Sequence, residues 1–128
     1  MNASARNIIA WILQVLLGLA FIFSGFNKLR DLPGTVAMFS GLGLPAVVAY
    51  LVAGGELLGG IGLLVPRFVR PAALGLLVIM IGAVVMHATK IPGGLLPAGG
   101  KPNGLPALVF SLLLLVVLLL RRPAGRPV

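Results

Sequence analysis

The 128-residue chain contains no cysteine, a single histidine and only two acidic residues, Asp31 and Glu56. Without cysteine it cannot form a disulfide, a thiolate metal site or a dithiol redox centre. One histidine and two acids are also too few to build a metal site within one copy of the chain. We therefore expect no metal and no cofactor held by the chain alone.

Charged residues are also scarce, at 9% of the sequence, whereas soluble domains average about 25%. Hydrophobic residues make up 59%, and the net charge of +8 comes from ten Lys/Arg. These cations stand singly or in pairs between apolar runs, which is typical of membrane flanks rather than of a nucleic-acid surface. The composition predicts one integral membrane domain over residues 1–128 that contacts the lipid bilayer and has no nucleic-acid partner.

Four apolar stretches predict an all-α, four-helix transmembrane bundle, with helices at about 7–28, 45–65, 71–89 and 105–121. The first follows a basic start, as a signal peptide does, but its apolar run of about 19 residues has no A-x-A-like cleavage site, so we expect it to be retained. Pro33–Ser40 is too short to span and predicts an interfacial or re-entrant helix. Residues 90–104, with five Gly and three Pro, predict an irregular loop.

The distribution of Lys and Arg predicts the orientation of these helices. Six lie in the two terminal segments and the connection between helices 2 and 3, and four lie in the other two connections. By the positive-inside rule both termini should lie in the cytoplasm, in a bacterial inner membrane.

Glu56 is the most unusual residue, because it stands near the middle of an apolar stretch that Pro45 and Pro66 bracket. At about 1.5 Å per residue it lies roughly 15 Å from either end, where an ionisable group costs about 2.5–3.5 kcal/mol. Ala49, Ala53 and Gly60 share its helix face. We expect its side chain to point into the bundle, where a carboxylate would be neutral unless a cation or several donors reach it.

Several groups could satisfy this acid. Lys28 is the nearest cation, but counting residues from the helix ends separates the two by roughly 10–15 Å. A direct ion pair would require helix 1 to sit lower in the membrane or the connection after it to dip inward. Otherwise Gln14, Ser24, Tyr50 or water must satisfy Glu56.

Two further polar residues and a set of glycines complete the candidates. Gln14 predicts an interhelical hydrogen bond or a ligand contact. His87, near the end of helix 3, predicts an interfacial or interhelical hydrogen bond, a proton relay or a ligand contact. Glycines at helical spacing predict close helix packing. They are Gly18, Gly25, Gly55, Gly59, Gly62, Gly75 and Gly82.

Several segments resemble the DoxX family of small four-helix membrane proteins. They are SGFNKL at the end of helix 1, GLGLP after the connection, ELLGG in helix 2, and the residues Arg67, Arg70 and His87. The similarity runs from about Gly18 to Leu120 and is strongest at Ser24–Leu29 and Glu56–Gly60. It implies a membrane subunit in a family of mixed function, which includes thiosulfate:quinone oxidoreductases, membrane complexes that deal with thiol or oxidative stress, and more distant cargo receptors or assembly chaperones.

Three functions are compatible with these residues. The first is a subunit that anchors a redox partner or lines a quinone site, with Glu56 and His87 accepting protons from the quinol and no catalysis by the chain alone. The second is a module that binds or assembles a membrane protein, a lipid or further copies of itself, with Glu56 structural. The third is a small transporter or channel protomer with Glu56 as its ion or proton site.

Overall fold

A computed structural model describes residues 2–89 and 105–121, apart from the side chains of His87 and Leu105. Its five α-helices are α1 (Ala3–Arg30), α2 (Leu32–Gly41), α3 (Ala46–Leu64), α4 (Val69–Thr89) and α5 (Leu105–Leu120), and a 3-10 turn at Pro66–Phe68 joins α3 to α4. Neither described range contains a β-strand. The predicted all-α class and the short helix after helix 1 are confirmed. The predicted loop at 90–104 lies outside the described residues.

Three segments are long and apolar enough to cross a membrane: Ala3–Arg30, Ala46–Leu64 and Pro66–Met86. Helix α5, which corresponds to the predicted fourth membrane helix, is shorter, with 16 residues and a length of about 24 Å. It is apolar except for Ser111, whose hydroxyl donates to the Ala107 carbonyl one turn earlier. Length and apolar composition therefore agree with an integral membrane protein.

Two helices begin earlier than the apolar pattern indicates. The Asn2 side chain accepts a hydrogen bond from the Ala5 amide at 2.7 Å, so α1 begins at Ala3 rather than near residue 7. Helix α4 begins at Val69, which places Pro71 in its first turn, where no backbone N–H is needed for helical bonding. Proline therefore marked the first turn of α4 and not its first residue.

The centre of the bundle is an antiparallel pair formed by α1 and α3. A Cβ atom on Gly18 would lie 2.9 Å from the Gly60 carbonyl, and one on Gly25 would lie 2.5 Å from the Leu57 amide nitrogen. Only glycine allows two helix backbones to approach this closely. Because residue numbers fall along α3 as they rise along α1, these contacts fix the register of the pair.

Helix α4 packs against α3, and α5 packs against α4 and α1. The shared core includes Leu63, Leu76, Met80, Leu114 and Val117, all buried. Leu114 is the only described leucine of α5 that is buried, whereas Leu112, Leu115 and Leu119 are exposed.

The five remaining packing glycines divide into two groups. A Cβ on Gly55, Gly59 or Gly62 would press against α4 side chains, namely Ile79, Leu76 and Ala72. The prediction for Gly75 and Gly82 was wrong: both are exposed, and an added Cβ would meet no atom of the described chain within 4 Å. A seven-residue spacing places two residues on one face, but it does not say which face is inward. Helix α4 packs through Ala73, Leu76 and Met80 instead.

Candidate functional site

An ion pair lies between α1 and α3 in the middle of the bundle. The Lys28 ammonium is 2.7 Å from Glu56 Oε1. Ser24 lies between them, because its hydroxyl donates to Glu56 Oε1 at 3.0 Å and Lys28 Nζ donates to Ser24 Oγ at 2.7 Å. The three side chains form a closed triangle of polar contacts.

Helix geometry explains how the sequence assembles this triangle. Ser24 and Lys28 are four residues apart and therefore share one face of α1. Glu56 lies on the buried face of α3 with Ala53 and Gly60. Because the small residues on both helices let the backbones meet, three short or flexible side chains can bridge the gap.

The direct ion pair overturns the depth count that separated Lys28 from Glu56 by roughly 10–15 Å. That count treated each helix as centred in the membrane. In fact Gly25 of α1 contacts Ala53 and Leu57 of α3, which bracket the level of Glu56. Lys28 is therefore less than one turn, about 4.5 Å, beyond that level, and its side chain leans back toward the start of α1.

The two members of the ion pair differ in exposure. The Glu56 side chain is 5% exposed, whereas the Lys28 side chain is 26% exposed. A buried carboxylate is stable only when its charge is paired and its oxygens are hydrogen-bonded. Lys28 therefore neutralises an interior acid while part of its own side chain stays accessible from outside.

That accessible part lies in a groove between α1 and α2, with a volume of about 560 Å³. The residues lining it are Phe23, Ser24, Asn27, Lys28, Asp31, Gly34, Thr35 and Met38. The Thr35 hydroxyl contacts the carbonyls of Lys28 and Asp31, both at 3.0 Å, which holds the start of α2 against the end of α1. These two contacts therefore fix the turn between α1 and α2 that forms the groove.

Two donors in the groove have capacity left for a ligand. An ammonium carries three N–H groups, and Lys28 uses two of them on Ser24 and Glu56. The Asn27 amide makes no hydrogen bond to any described residue. Asp31 is partly engaged, because its side chain caps α2 through the Gly34 amide at 3.3 Å.

A second polar cluster lies at the opposite end of α1. Gln14 is fully buried; its Nε2 donates to the Leu63 carbonyl at 2.9 Å, and its Oε1 accepts from Arg121 Nε at 2.7 Å. Arg121 also donates from Nη1 to Asn7 at 2.9 Å, and its guanidinium lies 5.6 Å from the centre of the Trp11 ring. This network joins α1, α3 and the residue that follows α5.

Arg70 completes the second cluster by capping the end of α5. Its Nη1 donates to the carbonyls of Leu118 and Arg121, at 2.9 and 3.0 Å. Carbonyls of the last helical turn lack partners within the helix, and a cation there also offsets the negative end of the helix dipole. Arg70 therefore fixes α5 against the start of α4.

Comparison with known proteins identifies the family of this chain. The family model named DoxX matches residues 9–89. The chain belongs to the DoxX family. The matched segment contains the Ser24–Lys28–Glu56 triangle, the groove and Gln14, whereas α5 and Arg121 lie outside it.

One relative of this DoxX protein has a name that mentions an activity. A Bacillus subtilis (strain 168) protein named "Putative oxidoreductase CatD" is 31% identical over 81 residues, which cover 63% of this chain and 60% of the relative. The chain therefore matches less than two thirds of that protein's length. No solved structure matches the chain.

The structure brings some of the predicted site residues together and separates others. Lys28 and Glu56 meet, and Ser24 joins them. Gln14 instead makes interhelical hydrogen bonds ten residues along α1 from Ser24, or roughly 15 Å away along the axis. Tyr50 is half exposed and makes no hydrogen bond to Glu56. His87 lies in the last turn of α4, and its side chain is outside the described residues.

Several polar residues of these clusters were absent from the predicted site residues. Asn27 stands inside the SGFNKL segment, next to Lys28, so the family resemblance pointed to its neighbourhood. Arg70 and Arg121 looked like ordinary membrane flanks, and no local pattern shows that Arg121 bonds to Gln14, 107 residues earlier. Residues 2–89 and 105–121 contain no group of three metal-ligand side chains.

Proposed function

We propose that this DoxX protein is a membrane subunit that binds a quinone in the groove between α1 and α2 and serves a redox partner protein. The observation that carries the proposal is that Lys28 belongs both to the groove and to the buried ion pair. The same ammonium lines the groove and contacts a buried carboxylate at 2.7 Å. The name of the Bacillus subtilis relative supports a link to oxidoreductases.

The groove has the chemistry that a quinone ring requires. Quinone carbonyls accept hydrogen bonds, and Lys28 and Asn27 each have a donor to offer. Phe23 and Met38 supply an aromatic and a thioether surface beside those donors. Its volume of about 560 Å³ falls within the range of roughly 300–1,000 Å³ that is usual for small-molecule sites.

Proton movement is the part of the chemistry that this chain can supply. Conversion between quinone and quinol moves two electrons and two protons. The chain has no cysteine, so the electrons come from or go to a partner oxidoreductase with its own cofactor. Lys28 can pass a proton at Nζ between the groove and Glu56 Oε1, because both atoms are within hydrogen-bonding distance of each other. Glu56 is then a store for one proton in the bundle.

The decisive test of binding compares two phenylalanines on α1. Phe23 lines the groove and is 69% exposed, whereas Phe26 is 54% exposed and does not line it. Protein purified in mild detergent from quinone-containing membranes is extracted with organic solvent, and the quinone is quantified per protein chain. We expect near-stoichiometric quinone in the wild type and in F26A, and loss of most of it in F23A. Absence of quinone from repeated wild-type preparations would overturn the proposal.

A second variant separates binding from proton transfer. E56Q keeps the shape of the side chain and an acceptor for Ser24 and Lys28, but it cannot take up a proton. We expect E56Q to retain quinone and to lose activity of the assembled complex. An E56Q complex that is as active as wild type would remove the proton role and leave Glu56 as a structural residue.

The second candidate function is an assembly module, and the outward face of α4 favours it. Gly75 and Gly82 are exposed there beside Val78, which is 70% exposed. Small residues on an exposed membrane helix allow another helix to approach closely. A native mass spectrum from lipid nanodiscs distinguishes the two functions. One stoichiometric protein partner or a second copy of the chain, with no bound quinone, would favour assembly.

A further inference from the structure

The end of the bundle that carries Arg67, Arg70 and Arg121, here called the basic end, has positive charge with no acid to balance it. Asp31 and Glu56 are the only acidic residues in the sequence. Glu56 is paired with Lys28, and Asp31 directly follows α1, at the helix end opposite the Gln14–Arg121 contact. The described partners of Arg70 and Arg121 at the basic end are neutral carbonyl and amide oxygens.

Two of these guanidinium groups are held in place with donors to spare. A guanidinium carries five N–H groups. Arg70 uses two of them on α5 carbonyls, and Arg121 uses two on Gln14 and Asn7. Each therefore retains three N–H groups without a described partner. Both side chains are already ordered, so an anion that binds them loses little additional rotamer entropy.

The Arg70 guanidinium lies against the backbone that carries the Arg121 side chain, because Arg70 Nη1 donates to the backbone carbonyl of Arg121 at 3.0 Å. Planar guanidinium groups with free N–H groups match the tetrahedral oxygens of a phosphate, which they can bind through bidentate, charge-assisted hydrogen bonds. A carboxylate can accept bidentate hydrogen bonds from one guanidinium, whereas a phosphate has enough oxygens to accept them from two.

Exposed apolar side chains also occur close in sequence to the residues of this end. Phe68, Ile12 and Leu119 are all more than half exposed, and each is one or two residues from a member of the second polar cluster. Exposed apolar surface on a membrane helix is covered by lipid chains. The surroundings therefore suit a phosphate that carries acyl chains.

We propose that Arg70 and Arg121 form a binding site for the phosphate group of an anionic phospholipid. The site is separate from the groove, because Gln14, which bonds to Arg121, lies roughly 15 Å along α1 from Ser24. It does not depend on quinone binding. A lipid held here would tie together α1, α4 and α5, which already meet at these two arginines.

Trp11 provides the readout, because it is the only tryptophan in the chain and its ring lies 5.6 Å from the Arg121 guanidinium. The full chain in dodecylmaltoside micelles is titrated with dioleoyl phosphatidylglycerol or dioleoyl phosphatidylcholine. We expect a saturable change of Trp11 emission with phosphatidylglycerol, at an apparent affinity at least about tenfold above that for phosphatidylcholine. Equal affinities for the two lipids would overturn the proposal.

Glycerol phosphate, the same headgroup chemistry without acyl chains, is the third ligand in this titration. We expect no saturation over the concentration range in which phosphatidylglycerol saturates. If glycerol phosphate reproduced the change at equal concentration, the site would bind free phosphate esters and the lipid proposal would fail.

Arg67 provides the matched control for charge. It lies three residues before Arg70 at the basic end, but it is exposed, and its described contact is with the Phe68 ring. Diffuse attraction to an anionic surface contributes about fivefold in binding per charge. We expect R67Q to lose no more than this and R70Q to lose more than about twentyfold. Equal losses in R67Q and R70Q would show that only diffuse charge acts.

R70K keeps the experiment decisive if R70Q loosens α5, which far-ultraviolet circular dichroism would show. Lysine preserves the charge but has no planar fork that could bond α5 carbonyls and a phosphate together. We expect R70K to bind phosphatidylglycerol more weakly than R67Q does, although R70K has the higher charge. The reverse order would refute the site.

Discussion

A methyl group added at Gly25 should separate α1 from α3. The new Cβ would lie 2.5 Å from the Leu57 amide nitrogen and 2.8 Å from the Ala53 carbonyl oxygen, whereas ordinary contacts begin near 3.4 Å. Both are backbone atoms, so no side-chain rotation can relieve the overlap, and the helices must part by about 1 Å. Overpacking of this kind costs about 1–3 kcal/mol. The Ser24–Glu56 hydrogen bond, now 3.0 Å, would lengthen and lose roughly 1 kcal/mol more.

Gly75 is the matched control for this substitution. It also lies within a helix, but an added Cβ meets no described atom within 4 Å. Both Gly→Ala changes bring the same gain in helix propensity, about 0.5–1 kcal/mol, so it cancels when the two variants are compared. We expect G25A to be about 3 kcal/mol less stable than G75A. The measurement is equilibrium unfolding by dodecyl sulfate in mixed micelles, followed by circular dichroism. Stabilities within about 0.5 kcal/mol of each other would refute the close α1–α3 contact.

Three further predictions follow from the polar contacts and the charge distribution. In the same unfolding assay K28M should cost about 3–5 kcal/mol, because the buried Glu56 loses its counter-ion, and the K28M/E56Q double variant should recover much of that loss. A double variant no more stable than K28M would contradict the ion pair. Q14L should cost about 2 kcal/mol by leaving a buried carbonyl and a guanidinium without their partner, and an unchanged stability would argue against that network. Single cysteines replacing Ala3 and Gly125 should be labelled only from the cytoplasm, and periplasmic labelling of either would reverse the proposed orientation.

The bundle architecture could be predicted because its signals are local. Apolar runs of membrane-spanning length, interrupted by proline, glycine and basic residues, mark helices without knowledge of their neighbours. The same applies to the inward face of α3. A carboxyl group is too costly to expose to lipid, so the small residues on the Glu56 face had to meet another helix. Ala49, Ala53 and Gly60 are all buried there.

The partners of the polar residues could not be predicted in the same way. Sliding one helix along another by a single turn changes every contact across the interface while the sequence pattern of each helix stays the same. The register of α1 against α3 depends on the summed contacts of many side chains, so counting from helix ends misplaced Lys28. The prediction for Gly75 failed for a related reason, because an apolar helix in lipid has no polar face to show which side is outward.

The position of Lys28 has a consequence for how the protein is made. Glu56 follows Lys28 by 28 residues, so at about 5–20 residues per second a ribosome adds it roughly 1.5–6 s later. During that interval Lys28 lacks the partner in α3 that it has in the folded bundle. Lys28 is only two residues from the end of the helix at Arg30, so its ammonium can reach the headgroup region before Glu56 is present. When α3 enters the membrane, Glu56 becomes available to Lys28, and the ion pair can join α1 to α3 before α4 and α5 are added.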